Sequence, residues 1–575
     1  MRSYLRGLAT TFISRTLFFC FLVLNAALLF PQSNLNVPAD DPAYAHLSNL
    51  VAWGLVKSDI SGTKPFPRQE FARLIREAQM KLEQSQTPPS ALVHNSIRYL
   101  SVRFRDELHK AQNKNHGTGL RLRPFSTAGV AYINFDSPAR ALPQDNIDAV
   151  VQPFVAYREG RTFVNGQNAA FESSHWLSIR DAVSFYYQGR VFLTDPRAAG
   201  GNSDFEFETL RMYFLFSKWN LNLLIGKDAF VWGTGWRRNL SFSQNAEPVG
   251  SFNTLPLLKL SNQEHSRLPW IFRGLGPLRF EFFIARLEKD RRDFPRPLLI
   301  GNRLNFKFGK NSEFGLSHAF ILGGETFPIN YNFWEALAEF FFIRAKQGFV
   351  FNIGVDPGRQ KEPQKTNIAN HLMGFDLKFR FPSLRYTEFY HEFYFEDMTF
   401  NIETTLKRNL GYYGGIYIPR LTSDGKFALR LEYVHTSTIF HTSTLPFDAG
   451  FTNERHIFGN DLGPLGNELF GQVDFKSNPE TTWSFFSNFQ SRGVDKNTGA
   501  ELADAPNEKR LQMGLQVTKF FGVGISVTAD ARYQRVFDFA NVARADKDTY
   551  FGGISVRAHN IFGEFGNSGR SDYSK

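Results

Sequence analysis

Cysteine is almost missing from this chain: Cys20 stands alone among 575 residues. It lies in an apolar stretch near the N-terminus behind Phe18 and Phe19, without the small residue that a lipoprotein attachment site needs. Once that stretch is removed, no disulfide, thiolate metal site or cysteine nucleophile is available. Such a chain can pass through an oxidising periplasm without mispairing. Apolarity is also in short supply: the mean hydropathy of −0.30 is too polar for a bundle of transmembrane helices. Thr16 to Phe30 carries no charge but is too short for a secure span, and Arg2, Arg6 and Arg15 make the flanking sequence basic. Residues 1–33 therefore read as an export signal, cleaved near Ala26-Ala27 or near Ser33.

Acidic residues are absent from that signal, so losing its three arginines lowers the net charge from +11 to +8. An exported chain does not meet nucleic acid. A mild basic excess suits an anionic glycan or the phosphates of lipopolysaccharide, or it decorates loops and rims. Signatures of catalysis are missing too. None of the 13 histidines has His-Glu-x-x-His spacing, and there is no nucleophile elbow or phosphate-binding glycine loop. The expectation is a protein without enzymatic activity, cofactor or metal.

Aromatic residues are abundant, with 62 Phe and 19 Tyr. High aromatic content and low mean hydropathy are compatible in a membrane barrel, whose strands show lipid only every second residue. Residues 34–118 differ, because they repeat with helical spacing. Tyr44, Leu47, Leu50, Val51 and Leu55 share one face, Phe71, Leu74, Ile75, Ala78 and Leu82 another, and Ile97, Leu100, Phe104 and Leu108 a third. Pro65, Pro67, Pro88 and Pro89 punctuate them, so three helices are expected.

From Leu120 the period becomes two. Phe427, Leu429, Leu431 and Tyr433 alternate with Ala428, Arg430, Glu432 and Val434, and Ile525 to Gln534 repeats the scheme. There are roughly 16 to 20 such segments of about ten residues, the length a tilted strand needs to cross hydrocarbon. Short turns alternate with long polar stretches at Asp195 to Asp204, Pro357 to Asn367, His441 to Asn467 and Ser491 to Glu508. Residues 119–565 are expected to form a transmembrane antiparallel β-barrel, its last strand ending near Phe562 or Phe565, with 566–575 as a tail.

Two stretches carry a family resemblance. Val37-Pro38-Ala39-Asp40-Asp41-Pro42-Ala43-Tyr44, leading to Trp53-Gly54-Leu55-Val56 and Pro65-Phe66-Pro67-Arg68, resembles the opening of Wzi capsule-assembly proteins and also, loosely, a surface-layer homology module. The second is more specific: Ile225-Gly226-Lys227-Asp228, Trp232-Gly233-Thr234-Gly235 and Asn245-Ala246-Glu247-Pro248, with Leu299-Ile300-Gly301-Asn302-Arg303 following in the family's order. Thr234 stands where the family usually has Pro. The resemblance implies a barrel of about 18 strands with a small periplasmic helical bundle. It also implies a non-enzymatic lectin of the outer membrane that organises capsular or extracellular polysaccharide, alongside lipopolysaccharide and other polysaccharide-export proteins.

Trp232, Trp236, Arg237, Arg238 and Asn239 form the candidate sugar site, since aromatic faces stack on sugar rings and Arg forks pair with uronate carboxylates. The competing reading is a tight glycine bend with Trp as a membrane-interface anchor. Arg303, Lys307, Glu388, Glu392, Arg430, Glu432, Asp530 and Arg532 occupy the polar face by alternation. They either line a pore or pair across the wall and close it. The second functional reading is a porin-like channel whose helical module tethers peptidoglycan.

Overall fold

The computed structural model describes residues 35–566 apart from 86–87, 113–119, 137–138, 143–145, 153–158, 180–182, 195–204, 253, 266–275, 326–368, 397–402, 404, 443–447, 495–504 and 560–564. The proposed export signal, the tail beyond 566 and the polar stretches 195–204 and 357–367 lie outside the described residues. Eighteen antiparallel strands make the wall: β1 Leu120–Phe135, β2 Gly166–Ile179, β3 Val183–Thr194, β4 Phe205–Lys218, β5 Leu221–Lys227, β6 Leu257–Asn262, β7 Leu278–Arg286, β8 Leu298–Phe308, β9 Ser312–Leu322, β10 Ala369–Phe381, β11 Thr387–Glu396, β12 Leu410–Ile418, β13 Phe427–Thr436, β14 Gly466–Asn478, β15 Thr481–Arg492, β16 Glu508–Phe521, β17 Ile525–Phe537 and β18 Lys547–His559. Each pairs with its neighbours in sequence, and β18 closes on β1 from Phe551↔Phe135 to His559↔Thr127. Phe565–Gly566 extends the closure against Leu122 and Arg121.

Alternation decides which face is which. On β13, Leu431 and Tyr433 are exposed while Arg430, Glu432 and Val434 are buried; on β8, Leu304 and Phe308 are exposed while Arg303, Asn305 and Lys307 are buried. An apolar outer face meets lipid, and the closed ladder leaves no edge with unpaired backbone groups.

The helical segment forms α1 Ala43–Ala52, α2 Arg68–Glu83, α3 Ala91–Arg103 and α4 Arg105–Gln112. Four helices stand where three are expected, because the third apolar face breaks at Phe104, whose ring turns to stack on Phe71 at 4.7 Å. Helix α2 starts at Pro67 with Glu70 in its first turn and ends with Lys81 in its last, which complements the helix dipole. Ser90 caps α3 by accepting from the Val93 amide at 3.3 Å. The bundle sits at the rim of short turns: Asn95 donates to the Pro479 carbonyl at 2.9 Å, and Arg420 lies 4.5 Å over the Trp53 ring.

Candidate functional site

The bundle does not stay at the rim. Between α1 and α2, residues 56–64 run into the lumen as a strap held by inward-facing charges. Asp59 takes Lys307 Nζ at 3.0 Å and both terminal nitrogens of Arg380 at 3.1 Å. Burial alone would raise the Asp59 carboxyl; Arg380 and Lys307 outweigh it and hold the group far below the usual carboxylate range. Further along, Glu313 accepts from the Gly62 amide at 2.7 Å, and Arg303 donates to Thr63 Oγ1 at 2.7 Å while gripping Asp376 at 2.7 and 3.1 Å.

From the opposite end, the connection 228–256 folds down to meet this strap. Val231 and Trp232 pair with Lys64 and Thr63 in a two-residue ladder, and the Gly233 amide donates to the Gly62 carbonyl at 2.8 Å. Gly233 has φ of +126°, and a Cβ there would lie 2.3 Å from Glu392 Oε1. Only glycine fits both demands. Glu392 clamps the same loop by accepting the amides of Gly235 at 2.7 Å and Leu240 at 2.9 Å.

A second connection, 437–465, covers the first. Ser243 donates its amide to the Phe458 carbonyl at 2.7 Å, and Asn245 Nδ2 reaches the Ile457 carbonyl at 2.9 Å. His441 Nε2–H donates to the Leu240 carbonyl at 2.6 Å, and burial pulls this imidazole down to about 4, so it stays neutral. Pro248 is buried in the same layer. Glu388 faces inward and receives Arg380 Nε at 2.9 Å. On these residues the polar face braces a filled lumen.

The sequence candidates separate into two groups. Trp232 is fully buried and donates its indole N–H to Glu281 at 2.8 Å, with Phe230, Phe242 and Phe283 packed around the ring. Gly301 makes room for it, since a Cβ there would sit 2.9 Å from Trp232. Trp232 thus departs from the expected sugar-stacking role because its faces are used up in the plug core. Arg238 departs likewise: 1% exposed, it is tied to Asp461 at 2.5 Å and Glu468 at 3.1 Å. Asn239 is buried beside it, and Gly226 lies within strand β5, one residue before its end.

Trp236 and Arg237 face open space. They line a cavity of about 350 Å³ together with Lys64, Arg238, Phe486 and Arg532, and no carboxylate lines it among the described residues. Trp236 is 51% exposed, and Arg430 lies 4.5 Å over its ring. Arg237 lies 4.6 Å over the Phe470 ring and 3.4 Å from Glu468. Burial, Lys378 and Arg430 pull Lys64 down to about 8. Alternation had placed Arg532 on the inner face, where it pairs with Asp530 of its own strand. Lys64 was invisible in the sequence, because nothing local says that a loop of the bundle enters the barrel.

The capsule assembly protein Wzi family model matches residues 148–550. Among solved structures, the chain is 16% identical to Wzi of Escherichia coli, described as an outer-membrane carbohydrate-binding β-barrel involved in group 1 capsule assembly. That match covers 90% of this chain and 98% of the other with a TM-score of 0.60. OpdQ of Pseudomonas aeruginosa is 9% identical over 78% of this chain and 98% of its own, with a TM-score of 0.40. No curated protein sequence matches the chain. A closed 18-stranded barrel filled by its own loops, and a family match over most of that barrel, lead to one conclusion: the chain belongs to the capsule assembly protein Wzi family of outer-membrane β-barrels.

Proposed function

We propose that the protein is a non-enzymatic surface lectin that holds an anionic capsular or extracellular polysaccharide, with the helical bundle on the periplasmic side. The observation that carries this reading is the cavity beside Trp236. Its 350 Å³ is at the small end of ligand pockets, which run from about 300 to 1,000 Å³. Its lining joins the Trp236, Phe470 and Phe486 rings to four cationic side chains and the amides of Gln472 and Gln516. Ring faces suit sugar C–H surfaces, and guanidinium forks suit carboxylates. Trp236 and Arg237 supply direct contact; Trp232, Arg238 and Asn239 hold the loop that presents them. The porin-like reading is disfavoured by the strap and loops that fill the lumen.

The test compares polymer retained on cells with polymer shed into the medium, with the gene intact, deleted or carrying Trp236→Ala. Deletion should release polymer and Trp236→Ala should reproduce part of that release. Unchanged retention on deletion would overturn the reading, as would steady open-channel conductance of the intact protein in a planar bilayer.

A further inference from the structure

At the long-loop end of the wall, Arg492 of β15 stands opposite Glu508 of β16 in the strand register. Yet Glu508 is already saturated. Its Oε1 accepts from Arg510 at 2.6 Å, and its Oε2 from Arg140 at 2.5 Å and from the Ala540 amide at 2.9 Å. Among the described residues Arg492 is left with one side-chain bond, from Nη2 to the Asp461 carbonyl oxygen at 3.1 Å. The Asp461 carboxylate itself is committed to Arg238. Among the described residues, four buried guanidinium nitrogens have no hydrogen-bond partner: Arg492 Nε and Nη1, Arg510 Nη1 and Arg140 Nε.

Arg492 is 4% and Arg510 2% exposed, so water does little to stabilise their charge. Guanidinium stays protonated at any ordinary pH, and a buried charge without a counter-charge is strongly destabilising. Three guanidiniums from three elements surround Glu508, and the other nearby carboxylate, Asp461, is already shared with Arg238, so the arrangement is one that an anion from outside completes. Arg238 links it to the Trp236 cavity, which it also lines.

We propose that Arg140, Arg492 and Arg510 form an anion site that takes the carboxylate of an acidic sugar. The planar forks match a carboxylate two donors at a time, and Asp461 joins Arg492 to Arg238, which lines the cavity assigned to glycan. The choice of a sugar carboxylate rests on the lectin reading; the anion site itself rests only on the arginines.

The experiment measures thermal unfolding of the purified full-length barrel in detergent and low chloride, with sodium glucuronate, glucose or inorganic phosphate added. Glucuronate should raise the midpoint and glucose should not. Arg492→Gln should raise the midpoint of the ligand-free protein, because it removes uncompensated charge, and should weaken glucuronate binding about tenfold or more, the scale of one lost charge-assisted contact. A purely structural arginine would do the reverse, lowering the ligand-free midpoint and leaving the glucuronate shift intact; that pair of results overturns the proposal. So does phosphate matching glucuronate while polymer binding ignores Arg492→Gln, since the occupant is then a free ion. If Arg492→Gln fails to assemble, Arg492→Lys keeps the charge without the fork, and unaltered glucuronate binding by it refutes the site. Glucuronate bound at Arg492 without any polymer bound by the intact protein would strike the lectin reading alone.

Discussion

The Gly233 amide and the Gly62 carbonyl meet at 2.8 Å inside the barrel, joining a loop from one rim to a strap from the other. Gly233→Val should therefore break the plug at its seam: a side chain there collides with Glu392 and requires a backbone conformation that β-branched residues avoid. Single-channel recording should show open steps in the variant and silence in the parent. Heat-dependent gel mobility should be preserved, because the wall ladder is untouched. A silent variant would mean that the seam is not what blocks the lumen.

Asp59 neutralises Lys307 and Arg380 together. Asp59→Asn leaves both cations buried with less compensation, which costs on the order of 3–5 kcal/mol in comparable buried pairs. The thermal midpoint of the detergent-solubilised protein should fall clearly. A midpoint within error of the parent would show that the strap contributes little to barrel stability.

Lys64 provides a pH signature. Its ammonium faces Lys378 and Arg430 as well as Glu313, and its value near 8 means that it is charged at neutral pH and loses its proton as pH rises through that value. Binding of an anionic polysaccharide should weaken by about fivefold between pH 7 and pH 9, the worth of roughly 1 kcal/mol for one partly screened charge contact. Lys64→Gln should bind more weakly at pH 7 and lose this pH dependence. Parallel pH profiles for parent and variant would remove Lys64 from the site.

Salt separates the two kinds of contact at the cavity. The screening length shrinks to about 3 Å at 1 M salt, so charge attraction fades while ring stacking persists. Arg237→Ala should flatten the salt dependence of polymer binding, and Trp236→Ala should weaken binding at every salt concentration. Arg238→Ala should instead lower stability, because it strips the buried Asp461 and Glu468 of a shared partner. Binding unchanged in the Trp236 and Arg237 variants, with folded barrels, would move the search to the loop 437–465.

The barrel was legible because its information is local. Alternation along β13 or β8 tells which side chain meets lipid whatever the distant partners are, and it correctly turned Arg303, Lys307, Glu388, Glu392, Arg430, Glu432 and Arg532 away from lipid. Helical periodicity likewise announced the bundle, though a three-helix count missed the break at Phe104, where stacking on Phe71 overrides a continuous apolar face. The Trp232 to Asn239 stretch was recognisable as special, but its composition could not say which rings were free.

Sequence by itself thus determined the two periodicities, the inner charged face and the glycine-rich bend, since each depends on residues only a few positions apart. Tertiary structure alone decided that residues 56–64 thread the lumen, that Glu392 clamps the 228–256 loop, that Trp232 is core while Trp236 is exposed, and that Arg492 is left over when Arg140 and Arg510 share Glu508. Each of those outcomes is a competition among groups hundreds of residues apart for a few buried partners. Only the closed barrel brings the competitors within hydrogen-bonding reach.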